Sequence, residues 1–180
     1  MNVQKILEAF IISSEKKIDF YVPIITKYKE NKDKTKYIQT PLFNYSLFNN
    51  KNSFIEILID SNTKKIVNIN LISINDINQN IELEINLEEI PFIFGNPIIN
   101  LNIFEEKSIL IEKKDFDIVI NNKKIYVLLD FKSIVKRVIM GDVEILLDNK
   151  NNIVGYVFMN FSNREWYEIN KILESKYSKE

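Results

Sequence analysis

Carboxylates are the residues in this chain whose type and spacing could do chemistry. Asp76, Glu82, Glu84, Glu88, Glu89, Glu105 and Glu106 fall in one stretch that contains no lysine or arginine, although the 180-residue chain is close to neutral, with a net charge of −1. Paired carboxylates can share acid–base work on a glycosidic bond or hold a hard cation. Glu82 and Glu84 are two residues apart, which on a strand puts both on one face. A calcium loop needs Asp, Asn and Gly at close spacing, and the pattern D-x-[DN]-x-[DN]-G is absent. Two readings of the stretch stay open: a solvated sheet face, or an acidic surface that steers a basic partner.

The rest of the composition narrows the chemistry. The chain has no histidine and no cysteine. Imidazole acid–base work, Ser-His-Asp and Cys-His catalysis, thiolate or imidazole zinc sites and disulfides are therefore excluded. Gly95, Gly141 and Gly155 are too far apart for a phosphate-cradling loop. The expectation is no catalytic residue, no metal and no cofactor. Lys16-Lys17, Lys123-Lys124 and Lys136-Arg137 are dispersed, and Glu30 and Asp33 interrupt the lysines of residues 26–36. That loop reads as solvated, and no nucleic-acid partner is expected. Glu8 interrupts the first apolar run, so residues 1–10 do not read as a secretion signal, and no segment has the length of a membrane span. The expected location is cytoplasmic, without a membrane partner. The wealth of Ile, Asn and Lys, all with AT-rich codons, points to a bacterial source.

The elements that must position these residues are mainly strands. In residues 142–161, DVEILLDNKNNIVGYVFMNF, Val143, Ile145 and Leu147 alternate with Glu144, Leu146 and Asp148, and after an Asp/Asn-rich turn Val154, Tyr156 and Phe158 resume an apolar face, which makes a hairpin. Ile55-Glu56-Ile57-Leu58-Ile59-Asp60 echoes Val143-Glu144-Ile145-Leu146-Leu147-Asp148, and Ile66-Val67 echoes Ile153-Val154. This is either a repeated unit or convergence of two hairpins. Asp60 and Asp148, at matching places, read as turn formers. Asn121-Asn122 marks a further hairpin between residues 116–120 and 124–130. Ser162-Asn163-Arg164-Glu165 is a capping box, and Trp166, Ile169, Ile172 and Leu173 follow at helical spacing. That helix should lie against the sheet with Trp166 buried.

Other segments carry weaker signals. Val3, Ile6, Leu7 and Phe10 predict a short N-terminal helix over residues 2–13. Residues 18–25, 81–87, 98–104 and 108–111 read as strands. The apolar, proline-flanked stretch 91–97 reads as a buried loop. Residues 131–140 fit helix or strand equally. The expected fold is one α+β domain over residues 1–180: a mostly antiparallel sheet built from hairpins, with short helices at both ends.

In its small, cysteine-free, β-rich make-up, its acidic mid-section and its ending VEILLDNKNNIVGYVFMNFS plus helix, the chain resembles the immunity proteins of bacterial polymorphic toxin systems. The resemblance implies a cytosolic, non-catalytic protein that neutralises one cognate toxin domain by binding it. The acidic stretch makes a basic domain the expected partner, with Asp76, Glu82, Glu84, Glu88, Glu89, Glu105 and Glu106 as its contact residues. The competing readings are a carboxylate-dependent enzyme acting on a sugar or nucleotide, and a structural or adaptor subunit that pairs through its sheet edges.

Overall fold

The computed structural model describes residues 1–8, 13–29, 40–75, 77–78 and 87–177. Among them are thirteen strands: β1 (Val3–Glu8), β2 (Ser13–Lys17), β3 (Ile24–Lys29), β4 (Leu42–Phe48), β5 (Phe54–Asp60), β6 (Ile66–Ser73), β7 (Phe92–Ile99), β8 (Ile109–Lys113), β9 (Asp117–Asn121), β10 (Lys124–Leu128), β11 (Lys136–Met140), β12 (Val143–Leu147) and β13 (Ile153–Phe158). One α-helix, α1 (Asn163–Tyr177), follows. The strands form a seven-stranded sheet, β1-β7-β11-β12-β13-β10-β9, and a six-stranded sheet, β2-β3-β6-β5-β4-β8. Most neighbours are antiparallel, but β7 runs parallel to β11 and β8 parallel to β4, so both sheets are mixed. One core lies between them, with Ile55, Ile57 and Leu71 from one sheet packed with Val138, Ile145 and Phe158 from the other.

The two sheets repeat one plan. In each, a hairpin (β2–β3 or β9–β10) is followed by a three-stranded meander (β4–β5–β6 or β11–β12–β13), and the meander's third strand pairs with the hairpin's second. The sequence echo falls on equivalent strands, β5–β6 and β12–β13. The register slips at the same point in each, between Leu58 and Ile59 and between Leu146 and Leu147. The turns match as well. Asp60 accepts the amides of Asn62 and Thr63 at 3.0 and 2.7 Å, and Asp148 those of Lys150 and Asn152 at 2.8 and 2.7 Å. Lys64 and Asn151 close the two turns at φ 60°. Burial pushes both carboxyls up. Side-chain hydrogen bonds, from Thr40 to Asp60 and from Asn152 to Asp148, act with the backbone amides to hold them below the usual range.

The expected N-terminal helix is corrected to two strands, β1 and β2, with residues 9–12 outside the described part. The apolar spacing that suggests a helix comes from a bulge. Val3 opposes Ile99 and Lys5 opposes Ile98, so Gln4 is inserted, and Val3 and Ile6 face the same side three residues apart. Gly95 makes the pairing possible, because a Cβ there would meet Ile6 Cγ2 at 2.6 Å and the Leu7 carbonyl oxygen at 2.7 Å. The expected strand over residues 18–25 is displaced toward β3, and 98–104 divides into the end of β7 and a 3₁₀ turn, Leu101–Phe104. The buried loop expected at 91–97 is instead strand β7, with Phe92 and Phe94 exposed. Residues 131–140 resolve into a 3₁₀ turn, Phe131–Ser133, and β11. The 116–130 hairpin forms with Asn122 and Lys123 at its tip, both at positive φ as a two-residue turn requires.

The capping box forms as read. Glu165 takes the Ser162 amide and hydroxyl at 2.8 and 2.7 Å, and its own amide reaches back to Ser162 Oγ at 3.2 Å. Among the described side chains of α1, Ile169 and Ile172, not Trp166, are the buried ones; Trp166 is half-buried, with its ring 5.6 Å from that of Phe161. Trp166→Ala should therefore cost about 2 kcal/mol, less than the ~3–5 kcal/mol of a fully enclosed large aromatic. Urea unfolding checks it: a loss at the upper figure would mean that Trp166 anchors the helix.

Candidate functional site

Asp76, Glu82 and Glu84 lie outside the described residues, as does most of the strand expected at 81–87. Glu88 and Glu89 form the 3₁₀ turn Leu87–Glu89 just before β7, and both are exposed. Glu105 and Glu106 are exposed beyond β7, after the turn Leu101–Phe104, whose entry is capped by Asn100 accepting the Asn102 amide at 3.0 Å. The eight residues of β7 separate the two pairs, roughly 23 Å of strand at 3.3 Å per residue. The structure therefore brings Glu88 together with Glu89, and Glu105 with Glu106, on opposite rims.

The Glu88–Glu89 rim is pinned from below. Leu87 and Ile90, on either side of it, pack onto a second apolar cluster made by Val119, Tyr126, Leu146 and Val157 on the outer face of the seven-stranded sheet. Arg137 fixes the same segment: its Nε donates to the Ile90 carbonyl at 3.1 Å, and its Nη1 donates to Glu144 Oε2 at 3.0 Å. Arg137 and Glu144 are both buried, at 7% and 4% exposure, and the guanidinium lies over Phe92, 5.3 Å from its ring centre. The two acids are thus held on a fixed ridge.

The equivalent place in the six-stranded sheet is built differently. Glu56, which matches Glu144, accepts Asn44 Nδ2 at 2.7 Å and Asn70 Nδ2 at 3.0 Å. Asn44 holds the register position of Arg137, since Asn44 opposes Leu58 as Arg137 opposes Leu146. Glu56 and Asn44 are half-buried on a face that solvent reaches. One half of the duplication therefore carries an enclosed ion pair, and the other a carboxylate–amide cluster in which Glu56 and Asn44 are half-buried and Asn70 is buried.

A third group of polar residues closes one end of the sandwich. Lys16 is only 4% exposed along its side chain and lies 3.9 Å from Asp142. Its Nζ donates to the carbonyls of Met159 and Asn160 at 2.8 and 2.9 Å, and it lies 4.3 Å from the centre of the Phe161 ring. Ser14 donates to Asp142 at 2.9 Å. Burial lowers the Lys16 pKa, and Asp142, then Glu165, oppose that. The ammonium is committed to carbonyls, so this cluster clasps β2 to the end of β13.

A cleft of about 330 Å³ opens between the β4–β5 turn and the β8–β9 connection. Its carboxylates, Asp115 and Asp117, are engaged by the amides of Asn50 and Asn78. Among the described residues, no three acidic side chains converge as a metal would need, and no helix is long and apolar enough to cross a membrane. Sequence reasoning missed Arg137–Glu144 and Lys16. A signal was present for the first: β12 and β13, VEILL and IVGYVF, are apolar on both faces, the mark of a strand covered on both sides. No family model matches the chain, and no curated protein matches it.

Proposed function

We propose that this chain is a non-catalytic binding protein of the immunity kind, which neutralises a cognate bacterial toxin domain by occupying a basic surface on it. The observation that carries the reading is the Glu88–Glu89 ridge. Two adjacent acids are exposed on a segment fixed by Leu87, Ile90 and the Arg137–Ile90 hydrogen bond. A preorganised acidic ridge raises the rate at which a basic partner docks and loses little entropy when it does so. The Arg137–Glu144 and Lys16–Asp142 pairs serve structure in this reading, and the cytoplasm is where such a protein works.

The test needs the cognate toxin domain, to be sought first in the neighbouring genes. Reversing Glu82, Glu84, Glu88 and Glu89 to lysine should lower the association rate roughly tenfold or more, and flatten its dependence on salt, while the circular dichroism spectrum is unchanged. A folded variant that associates as fast as the wild type would overturn the proposal.

A further inference from the structure

The sheets end in four described edge strands, and they are not alike. β2 is SSEKK, with Ser13, Glu15 and Lys17 exposed; β9 is DIVIN, with Ile118 and Val119 buried; and β1 exposes Gln4, Lys5 and Glu8 beside Leu7. Charge or burial blunts each of these edges. β8 is ILIEK, and its Ile109 and Ile111 are 57% and 60% exposed, the most exposed aliphatic side chains among the described residues.

The backbone of β8 is also open. It pairs with β4 on one side, and among the described residues no strand lies on the other. Asn44 N donates to the Ser108 carbonyl at 2.8 Å, and Lys114 N donates to the Phe48 carbonyl at 3.0 Å. Residues 108 and 114 therefore face β4, and by strand alternation the amides and carbonyls of Ile109, Ile111 and Lys113 point away from it. The duplication shows what such a strand takes. β7, the counterpart of β8, carries antiparallel β1 on its free side. Every described strand already has its place, so no described strand of the same chain is left to pair with β8, and another molecule can supply one.

We propose that the other molecule is a second copy of this chain, and that β8 joins β8 antiparallel across a two-fold axis through Ile111. This axis overlaps all five residues of the strand. It sets Ile111 against Ile111, Ile109 against the aliphatic stem of Lys113, and Leu110 against Glu112, with no like charges opposed. An axis through Leu110 would overlap only three residues and set Lys107 against Lys113, and one through Lys113 would set that lysine against itself. Two-fold pairing is antiparallel by construction, the orientation β1 adopts on β7. The result is a continuous twelve-stranded sheet with four isoleucines across the seam.

Sedimentation velocity from micromolar to near-millimolar concentration reads the outcome. The 21.3 kDa chain should shift to twice that mass as concentration rises. Ile111→Lys, which opposes two ammonium groups at the axis, should stay monomeric with an unchanged circular dichroism spectrum. Because the chain has no cysteine, I111C introduces a single thiol. The axis brings its two copies to a Cα separation of about 5.5 Å, within disulfide reach. Mild oxidation should cross-link I111C much faster than Y167C, an equally exposed site on α1. A wild type of constant 21.3 kDa mass overturns the proposal. So does a dimer that survives Ile111→Lys, or one in which I111C links no faster than Y167C, since either places the interface elsewhere.

Discussion

Raising the pH from 10 to 12 should unfold this protein cooperatively, and the absorbance of ionised tyrosine should appear together with the loss of structure. Three phenols are held well above their ordinary value. Burial does so for Tyr28, with Asp142 adding to it; for Tyr45, with a 2.6 Å hydrogen bond to Glu112 adding to it; and for Tyr156 alone. A phenol whose pKa is raised by folding contributes stability that is fully present below its unfolded pKa, near 10. That stability is lost as pH rises toward the folded value, because only the unfolded chain releases the proton. Between pH 10 and 12 each phenol that stays protonated only in the fold favours the unfolded chain by up to about 3 kcal/mol. Domains of this size are stable by only ~5–15 kcal/mol. A smooth tyrosinate titration with the far-ultraviolet circular dichroism intact would show that these hydroxyls reach solvent in the folded protein.

Local chemistry was legible in the sequence, and long-range pairing was not. The capping box at Ser162–Glu165, the Asp60 and Asp148 turns and the β12–β13 hairpin each depend on contacts within a few residues, and the structure has them as read. The echo between residues 55–67 and 143–154 was visible too, but only the shared strand order and register slip show that it marks one plan used twice. The N-terminal helix fails because an inserted residue, Gln4, turns a period of two into an apparent period of three. The parallel pairs β7·β11 and β4·β8 join strands dozens of residues apart, and no local pattern encodes them. Of the acidic stretch, the sequence could show that Glu88, Glu89, Glu105 and Glu106 are close along the chain. It could not show that an extended strand would carry the second pair far from the first.

The duplication supplies its own control for the most damaging single substitution. Arg137→Met should cost about 3–5 kcal/mol in urea unfolding, because it strands the Glu144 carboxylate, 4% exposed, and removes the donor to the Ile90 carbonyl. At the equivalent position Asn44→Ala should cost less, about 1–2 kcal/mol. Glu56 there keeps Asn70, while the Ser46 hydroxyl, 3% exposed, loses its acceptor. A further measurement separates a stranded charge from a simple loss of packing. The double variant R137M/E144L should recover most of the loss, because an apolar pair under Leu87 and Ile90 suits that enclosure. If Arg137→Met costs no more than Asn44→Ala, residues 87–90 do not seal the outer face of the seven-stranded sheet. The Glu88–Glu89 ridge would then lack the rigidity that the proposed docking requires.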